Sequence, residues 1–420
     1  MELTEYLSKC VTPHQTVKTS ADILKKAGFT ELKADKPFNV KKGGKYFIKV
    51  YSTTLIAVTV GDKAKESDGL RIAAAHTDHP CLHIKPAAEM SHDRYMRINT
   101  EVYGGPILNT WMDRPLSIAG IAAVRSKDPF TPEIRYVDFK RPVVTIPNLP
   151  IHVNREVNKG VELNKQVDVI PILGPTDKKP ATDYFKNAVA DELGIDKQDL
   201  LDFDLYVYNC DTPEVIGLNK DMLSSPRLDN ITSCYALLEG ITGNVRNGID
   251  VAVLFDHEEI GSHTKQGADS AMLKTMLEKL WDGLKFNRST LSDAIFSGFL
   301  LSVDVAHAVH PSHSEKYDPV NTAFFNTGVT LKVNSNQRYT FDTSAVATVQ
   351  AICDKHKIKY AKFTNRSDAV GGGTLGPIIS SWIPMRTVDI GVPILAMHSA
   401  RELMATSDEK ELIKLIKNFF

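Results

Sequence analysis

The sequence predicts an α/β fold with a largely β module inserted into it, and three observations carry that expectation. Short apolar, β-branched runs at residues 70–75, 251–255 and 299–303 have the length and composition of strands buried in a parallel sheet, and stretches of helical periodicity lie between them. From about residue 80 to 218 the pattern changes to strand-and-turn punctuation, and then the α/β pattern resumes. Finally, 420 residues exceed what one ordinary core organises, so two domains, or one domain carrying a large insertion, are expected.

Taken in order, residues 20–27 have a short helical pattern that stops at Gly28, a residue suited to a helix end. Residues 46–50 and 54–58 read as paired strands. The run 70–75 delivers His76-Thr77-Asp78 at its end. If the backbone is still extended there, His76 and Asp78 project from the same side, so that one can hold a metal and the other can orient a neighbouring group. In isolation the pair reads equally as a hydrogen-bonded surface pair, because polar residues at strand ends are mostly exposed.

The inserted module, residues 81–218, contains Tyr103-Gly104-Gly105-Pro106 and Thr145-Ile146-Pro147-Asn148-Leu149-Pro150, with one amphipathic helical stretch at 181–193. His152 stands in this module and, read locally, is a structural histidine. The α/β part, residues 1–80 and 219–420, resumes at Ser225-Pro226-Arg227-Leu228-Asp229-Asn230, where Asp229 precedes the helical run 231–240 and reads locally as an N-cap.

The strand at 251–255 ends in Asp256-His257-Glu258-Glu259-Ile260-Gly261-Ser262. Adjacent carboxylates at a strand end repel each other and lose hydration, which calls for a proton, a basic partner or a bound cation. A solvated charged turn is the plainer alternative. A helix at 271–284 follows, and residues 299–307 repeat the arrangement of an apolar strand leading to an acid, Asp304. Gly371-Gly372-Gly373-Thr374-Leu375-Gly376-Pro377 reads as a loop where backbone must closely approach a ligand or another strand. A third apolar strand at 392–396 ends in Met397-His398-Ser399.

Composition removes several classes of partner. Fifty Lys and Arg against 51 Asp and Glu leave a net charge of -1, so no global field draws the chain to nucleic acid or an anionic membrane. The five cysteines lack a Cys-x-x-Cys spacing, which argues against a zinc ribbon or a disulfide framework and for a reducing compartment. The N-terminal residues lack a secretory pattern, and the longest apolar run, 294–309, is short for a membrane span and interrupted by Asp304 and His307. A cytoplasmic protein is expected.

Several strand-like runs thus end in metal-competent residues or carboxylates, namely His76, Asp78, Glu258, Glu259, Asp304 and His398, with Asp229 at a helix start. In an open α/β sheet those ends converge on one crevice, and a mixed oxygen and imidazole set suits zinc, manganese or cobalt. The residues point to a paired-metal hydrolase.

The ordered motifs also resemble a known family. His76-Thr77-Asp78, Ser225-Pro226-Arg227-Leu228-Asp229-Asn230, Asp256-His257-Glu258-Glu259-Ile260-Gly261-Ser262, Asp304-Val305-Ala306-His307-Ala308-Val309-His310-Pro311 and Met397-His398-Ser399 look like those of the aspartyl and vacuolar aminopeptidases. The resemblance runs from about Gly44 to Glu402. It implies a mixed-sheet, zinc-exopeptidase-like catalytic domain carrying a dimerisation domain, and assembly through dimers into a tetrahedral dodecamer. It further implies two divalent metal ions per chain, zinc before manganese or cobalt, with Asp229 bridging them. His76 and Asp304 would complete one site, and Glu259 and His398 the other.

Glu258 would be the general base, Asp78 would fix the imidazole of His76, and His152 would reach a neighbouring subunit's active site. Lys332 and Arg366 are candidates for holding an acidic substrate side chain, with solvated surface cations as the plain alternative. Gly371-Gly372-Gly373-Thr374 stands where aspartyl members typically carry Cys-Gly-Ser-Thr, and His79 where serine is common; both bear on substrate preference. The expected activity is removal of the N-terminal residue from peptides with a free amine, acidic residues favoured. A broad or neutral-residue aminopeptidase, a related amidohydrolase and a catalytically silent assembly scaffold are the alternatives.

Overall fold

Four strands lie side by side and parallel at the centre of a nine-stranded sheet: Ile249–Phe255, Arg71–His76, Phe299–Val303 and Arg386–Gly391. The computed structural model describes residues 1–177 and 182–420. The chain forms two units, the first comprising Met1–Asp78, Pro213–Met397 and Glu402–Phe420, the second His79–Thr212 and His398–Arg401. The nine-stranded sheet belongs to the first. It is mixed, because Thr54–Val60 runs antiparallel to Ile249–Phe255 on one side, and Val329–Lys332 antiparallel to Arg386–Gly391 on the other.

The central strands read as continuous apolar runs because helices cover both faces. Every residue of Ile249–Phe255 and of Phe299–Val303 is buried. Side chains alternate between two cores. Ala73, Ala75, Ala252, Leu254 and Leu301 pack with the helices Leu228–Ile241 and Thr406–Phe419, whereas Ile72, Ala74, Val251, Val253 and Leu300 pack under Met272–Gly283 and Leu375–Trp382. In the register of the sheet Phe255 is paired with His76, and Ser302 with Ala74. Asp256, Thr77 and Asp304 therefore leave the same edge on neighbouring strands.

Two expectations need correction. The strand expected at 392–396 does not belong to this sheet, since Pro393–Leu395 lies in a separate five-stranded sheet with Glu402–Ala405 and Ala306–His307. The strand that flanks Phe299–Val303 is Arg386–Gly391, whose Arg386 and Asp389 break the apolar pattern a sequence reading relies on. The helix expected at 20–27 begins much earlier, at Pro13, and ends at Lys26. Proline suits a first helical position, but the inward-facing His14, Gln15 and Thr16 are polar and hide the periodicity.

The second unit is built on a six-stranded antiparallel sheet, in the order Glu133–Asp138, Leu116–Val124, Leu200–Asn209, Cys81–His92, Tyr95–Tyr103, Ile172–Pro175. Its helix is Tyr184–Leu193, which buries Phe185 and Val189; Ala181, where the helix was expected to start, lies outside the described residues. All five cysteines are free thiols. Among the described residues no helix is long and apolar enough to cross a membrane.

Candidate metal centre

His76 is the last residue of its strand and is buried. Its Nε2 lies 3.4 Å from Asp229 Oδ1 and 3.5 Å from Asp304 Oδ1. Donor atoms held at about 2.0–2.1 Å from a tetrahedral zinc are about 3.4 Å from one another, so His76 Nε2 stands from each carboxylate at the separation that two ligands of one zinc ion would have. Burial works against a charged imidazole, but the hydrogen bonds to Asp229, Asp304 and Asp78 outweigh it and hold the pKa of His76 well above its usual range. So much negative charge around one imidazole must be balanced by a proton or by a cation. The donor set and its spacing fit zinc.

Asp229 is delivered by the helix Leu228–Ile241 but is not its N-cap. Its backbone is extended, φ -78° and ψ 109°, within the first turn, and its N–H donates to Glu402 Oε2 at 3.0 Å. The next residue, Asn230, donates from Nδ2 to the carbonyl of Val303 at 2.9 Å, tying this turn to the strand that leads to Asp304. Cys234, on the same helix, donates from Sγ to the carbonyl of His76 at 3.0 Å. The sequence reading missed Glu402, Asn230 and Cys234 as supports, since their roles exist only once strands and helix are packed.

The two glutamates sit on a short 3-10 turn, Glu258–Ile260, between His257 at φ +65° and Gly261 at φ +94°. These two left-handed positions fold the acidic stretch tightly, and glycine adopts such a conformation without steric cost. Asp78 holds the turn in place: its Oδ1 accepts the N–H of Glu258 and its Oδ2 that of Glu259, each at 3.1 Å. The imidazole of His76 is met by the carbonyl of Asp78, 3.0 Å from Nδ1, more closely than by its carboxylate at 3.4 Å. Asp78 thus serves both ends of the cluster, through different atoms.

Burial, together with the charges of Asp304, Asp78 and Asp229, pushes the Glu258 carboxyl up to about 8 against the opposing effect of His76. A carboxyl poised near neutrality suits proton transfer. Glu258 and Glu259 can each bring an oxygen within 4.8 Å of a His76 nitrogen. Asp256 is buried behind the turn, and burial, then the charge of Asp78, push it up to about 7.

Lys332 lies in the same unit, 2% exposed, with Nζ 3.3 Å from Asp304 Oδ2 and 5.3 Å from the centroid of the Tyr339 ring. Arg366 is engaged elsewhere: its Nε and Nη2 each donate to Asp368 at 2.8 Å, and its Nη1 donates to the carbonyl of Glu315 at 2.7 Å. His152 and His398 belong to the second unit. His152 occupies an exposed turn, and His398, at φ +66°, has Nδ1 3.0 Å from the carbonyl of Gly105.

Comparison with known proteins agrees with this chemistry. The family model described as aminopeptidase I zinc metalloprotease (M18) matches residues 6–420. A probable M18 family aminopeptidase 2 from Clostridium novyi is 43% identical over 422 residues, spanning 100% of this chain and 98% of that protein. Among solved structures, Ape4 in its complex with Nbr1 superposes with a TM-score of 0.95 at 31% identity, covering 100% of this chain and 84% of that one. The mApe1 dodecamer of S. cerevisiae gives 0.86 at 25% identity, with 100% and 95% covered. A match across nearly the whole chain, on a fold whose strand ends assemble a zinc-competent cluster, shows that this chain belongs to the M18 family of zinc metalloprotease aminopeptidases.

Proposed function

We propose that the chain is a two-zinc aminopeptidase that removes one residue at a time from the free N-terminus of peptides and favours Asp or Glu there. The observation that carries the reading is the spacing of His76, Asp229 and Asp304, with Glu258 beside them on a turn fixed by Asp78. In this reading His76 and Asp304 would hold one ion and Glu259 and His398 the other, with Asp229 contributing to both; manganese or cobalt could replace zinc in such a donor set. Zinc bound there supplies a Lewis acid for the scissile carbonyl and lowers the pKa of water.

The protein's own part is proton transfer and orientation. Glu258 accepts the proton of the attacking water on its carboxylate, where burial has already raised its basicity, and returns it to the amine that leaves as the scissile C–N bond breaks. Asp78 keeps the Glu258–Glu259 backbone from shifting. Lys332 supplies the cation for an acidic side chain, because it is buried at the cluster, whereas Arg366 is already held by Asp368. Residues 1–80 and 219–420 form the catalytic domain and 81–218 a dimerisation domain. Dimers build a tetrahedral dodecamer in the cytoplasm, in which His152 reaches the active site of a neighbouring subunit; the dodecameric structural neighbour supports the assembly.

Glu258→Gln is the direct test. The variant should keep the metal content of the wild type and lose hydrolysis of Asp- and Glu-initiated peptides. Substantial remaining turnover would remove Glu258 from its role.

A further inference from the structure

Beside Lys332 the first unit opens into a cleft of about 760 Å³ that no residue of the metal cluster lines. Asn334, Gln337 and Arg338 form one wall, and residues 367–371, 373 and 374 with the start of the helix Leu375–Trp382 form the other. Asp389, fully buried, clasps both walls. Its Oδ2 accepts the N–H of Thr340 at 2.5 Å, and a Cβ placed on Gly376 would collide with the same oxygen, so only glycine lets the helix start approach it. Asp389 is also the cross-strand partner of Lys332. The cleft and the buried cation are parts of one construction.

Three features of the cleft answer to nothing among the described residues. An added Cβ at Gly373 would meet no atom within 4 Å, and the residue is not at positive φ, so neither packing nor backbone requires glycine there. Gly371, by contrast, lies against the side chain of Asn365. Arg338 is exposed, and among the described residues its guanidinium has no carboxylate partner, unlike Arg366. The volume is also far larger than one side chain needs; sites of roughly 300–1,000 Å³ hold ligands of drug size, which is the size of a short peptide.

We infer that this cleft receives the substrate beyond its N-terminal residue, with peptide backbone lying on Gly373 and a substrate carboxylate paired with Arg338. The inference rests on the reading of the His76 cluster and Lys332 as the place where the N-terminal residue is held and cut. Asn334 is two residues past Lys332, about 7 Å along an extended chain, which is the spacing of alternate substrate residues. The carboxylate belongs either to the C-terminus of a short peptide or to an acidic side chain within a longer one. A planar, two-pronged guanidinium suits both.

The test compares Asp-Ala-Ala as the free acid, Asp-Ala-Ala amide and Asp-Ala-Asp amide on the zinc-loaded enzyme. The wild type should show a lower KM for the free acid, the Asp-Ala-Asp amide, or both, than for Asp-Ala-Ala amide, and the arm that responds identifies the carboxylate. In Arg338→Gln that preference should fall about tenfold, the effect of losing one exposed charge-assisted pair. Gly373→Val, which the fold has room for, should raise KM for all three peptides by filling the floor of the cleft. Wild-type KM values for the three peptides that do not differ, or a preference unchanged in Arg338→Gln with KM unchanged in Gly373→Val, would overturn the inference. Zinc-loaded wild type that cleaves no peptide would instead overturn the catalytic reading beneath it.

Discussion

Replacing Asp78 with asparagine measures how the acidic turn is held. In the wild type both carboxylate oxygens accept backbone N–H groups, from Glu258 and from Glu259. Asparagine offers one carbonyl oxygen and one NH2, so one of the two amides would face a donor instead of an acceptor. The surviving bond would also lose its charge. A hydrogen bond to a charged group contributes about 1.5–3 kcal/mol, and at about 1.4 kcal/mol per factor of ten its loss corresponds to roughly 10- to 150-fold. His76 keeps its orientation, because the carbonyl of Asp78 is unaffected by the substitution.

The loss should therefore appear in kcat, through displacement of Glu258, with zinc at the His76 cluster retained. Steady-state kinetics at saturating zinc, zinc content after dialysis and a melting curve separate these effects. An Asp78→Asn enzyme with wild-type kcat would refute the reasoning. A variant that lost zinc in proportion to activity would show that the carboxylate acts on His76 and not on the turn.

Glu409 provides a pH test. It is 3% exposed, both carboxylate oxygens lack a hydrogen-bond partner among the described residues, and burial alone pushes its pKa well above 4.5. With the folded value above the unfolded one, the stability this group contributes is complete below about pH 4.5 and is lost as pH rises through the raised value. Glu409→Gln keeps the shape without the titration, so it should melt above the wild type by a margin that widens with pH, at most about 1.4 kcal/mol per pH unit. A margin constant between about pH 5 and pH 8 would contradict this sign. Lys332→Met should lower kcat/KM for Asp- and Glu-initiated peptides by about tenfold or more relative to Leu-initiated ones, read from a substrate panel; an equal fall for all would assign Lys332 to Asp304 alone. Metal analysis of the purified enzyme should give about two zinc ions per chain, and chelation should abolish activity in step with zinc loss.

The parts of the site that were legible in the sequence are those where local pattern and tertiary position coincide. His76, Glu258 and Asp304 follow largely apolar strands, and the parallel register brings those strand ends to one edge. Asp229 was ambiguous locally, because an acid before a helix ordinarily caps it; what separates it from a cap is the bond from its N–H to Glu402, 173 residues away. The strand Arg386–Gly391 was hidden by Asp389, a buried charge whose partners Thr340 and Lys332 lie on other segments. The triple glycine was expected to mark close approach of a ligand or another strand; among the described residues Gly371 lies against the Asn365 side chain, and an added Cβ at Gly372 or Gly373 would meet no atom within 4 Å. Pattern reading registers what a residue does for its own element, and it is blind to what a distant element requires of it.

The pairing of Phe255 with His76 and of Ser302 with Ala74 has a consequence for how the protein can change. Because side chains alternate faces along a strand, the site is indexed by the count of residues along three neighbouring backbones. Substitutions within these strands that preserve volume leave that count untouched and alter only packing. Insertion or deletion of a single residue upstream of His76 or Asp304 within its strand would turn the side chain proposed to hold metal to the opposite face. The strands can therefore drift in composition while their lengths stay fixed, and sequence divergence along them should consist of exchanges and not of gaps.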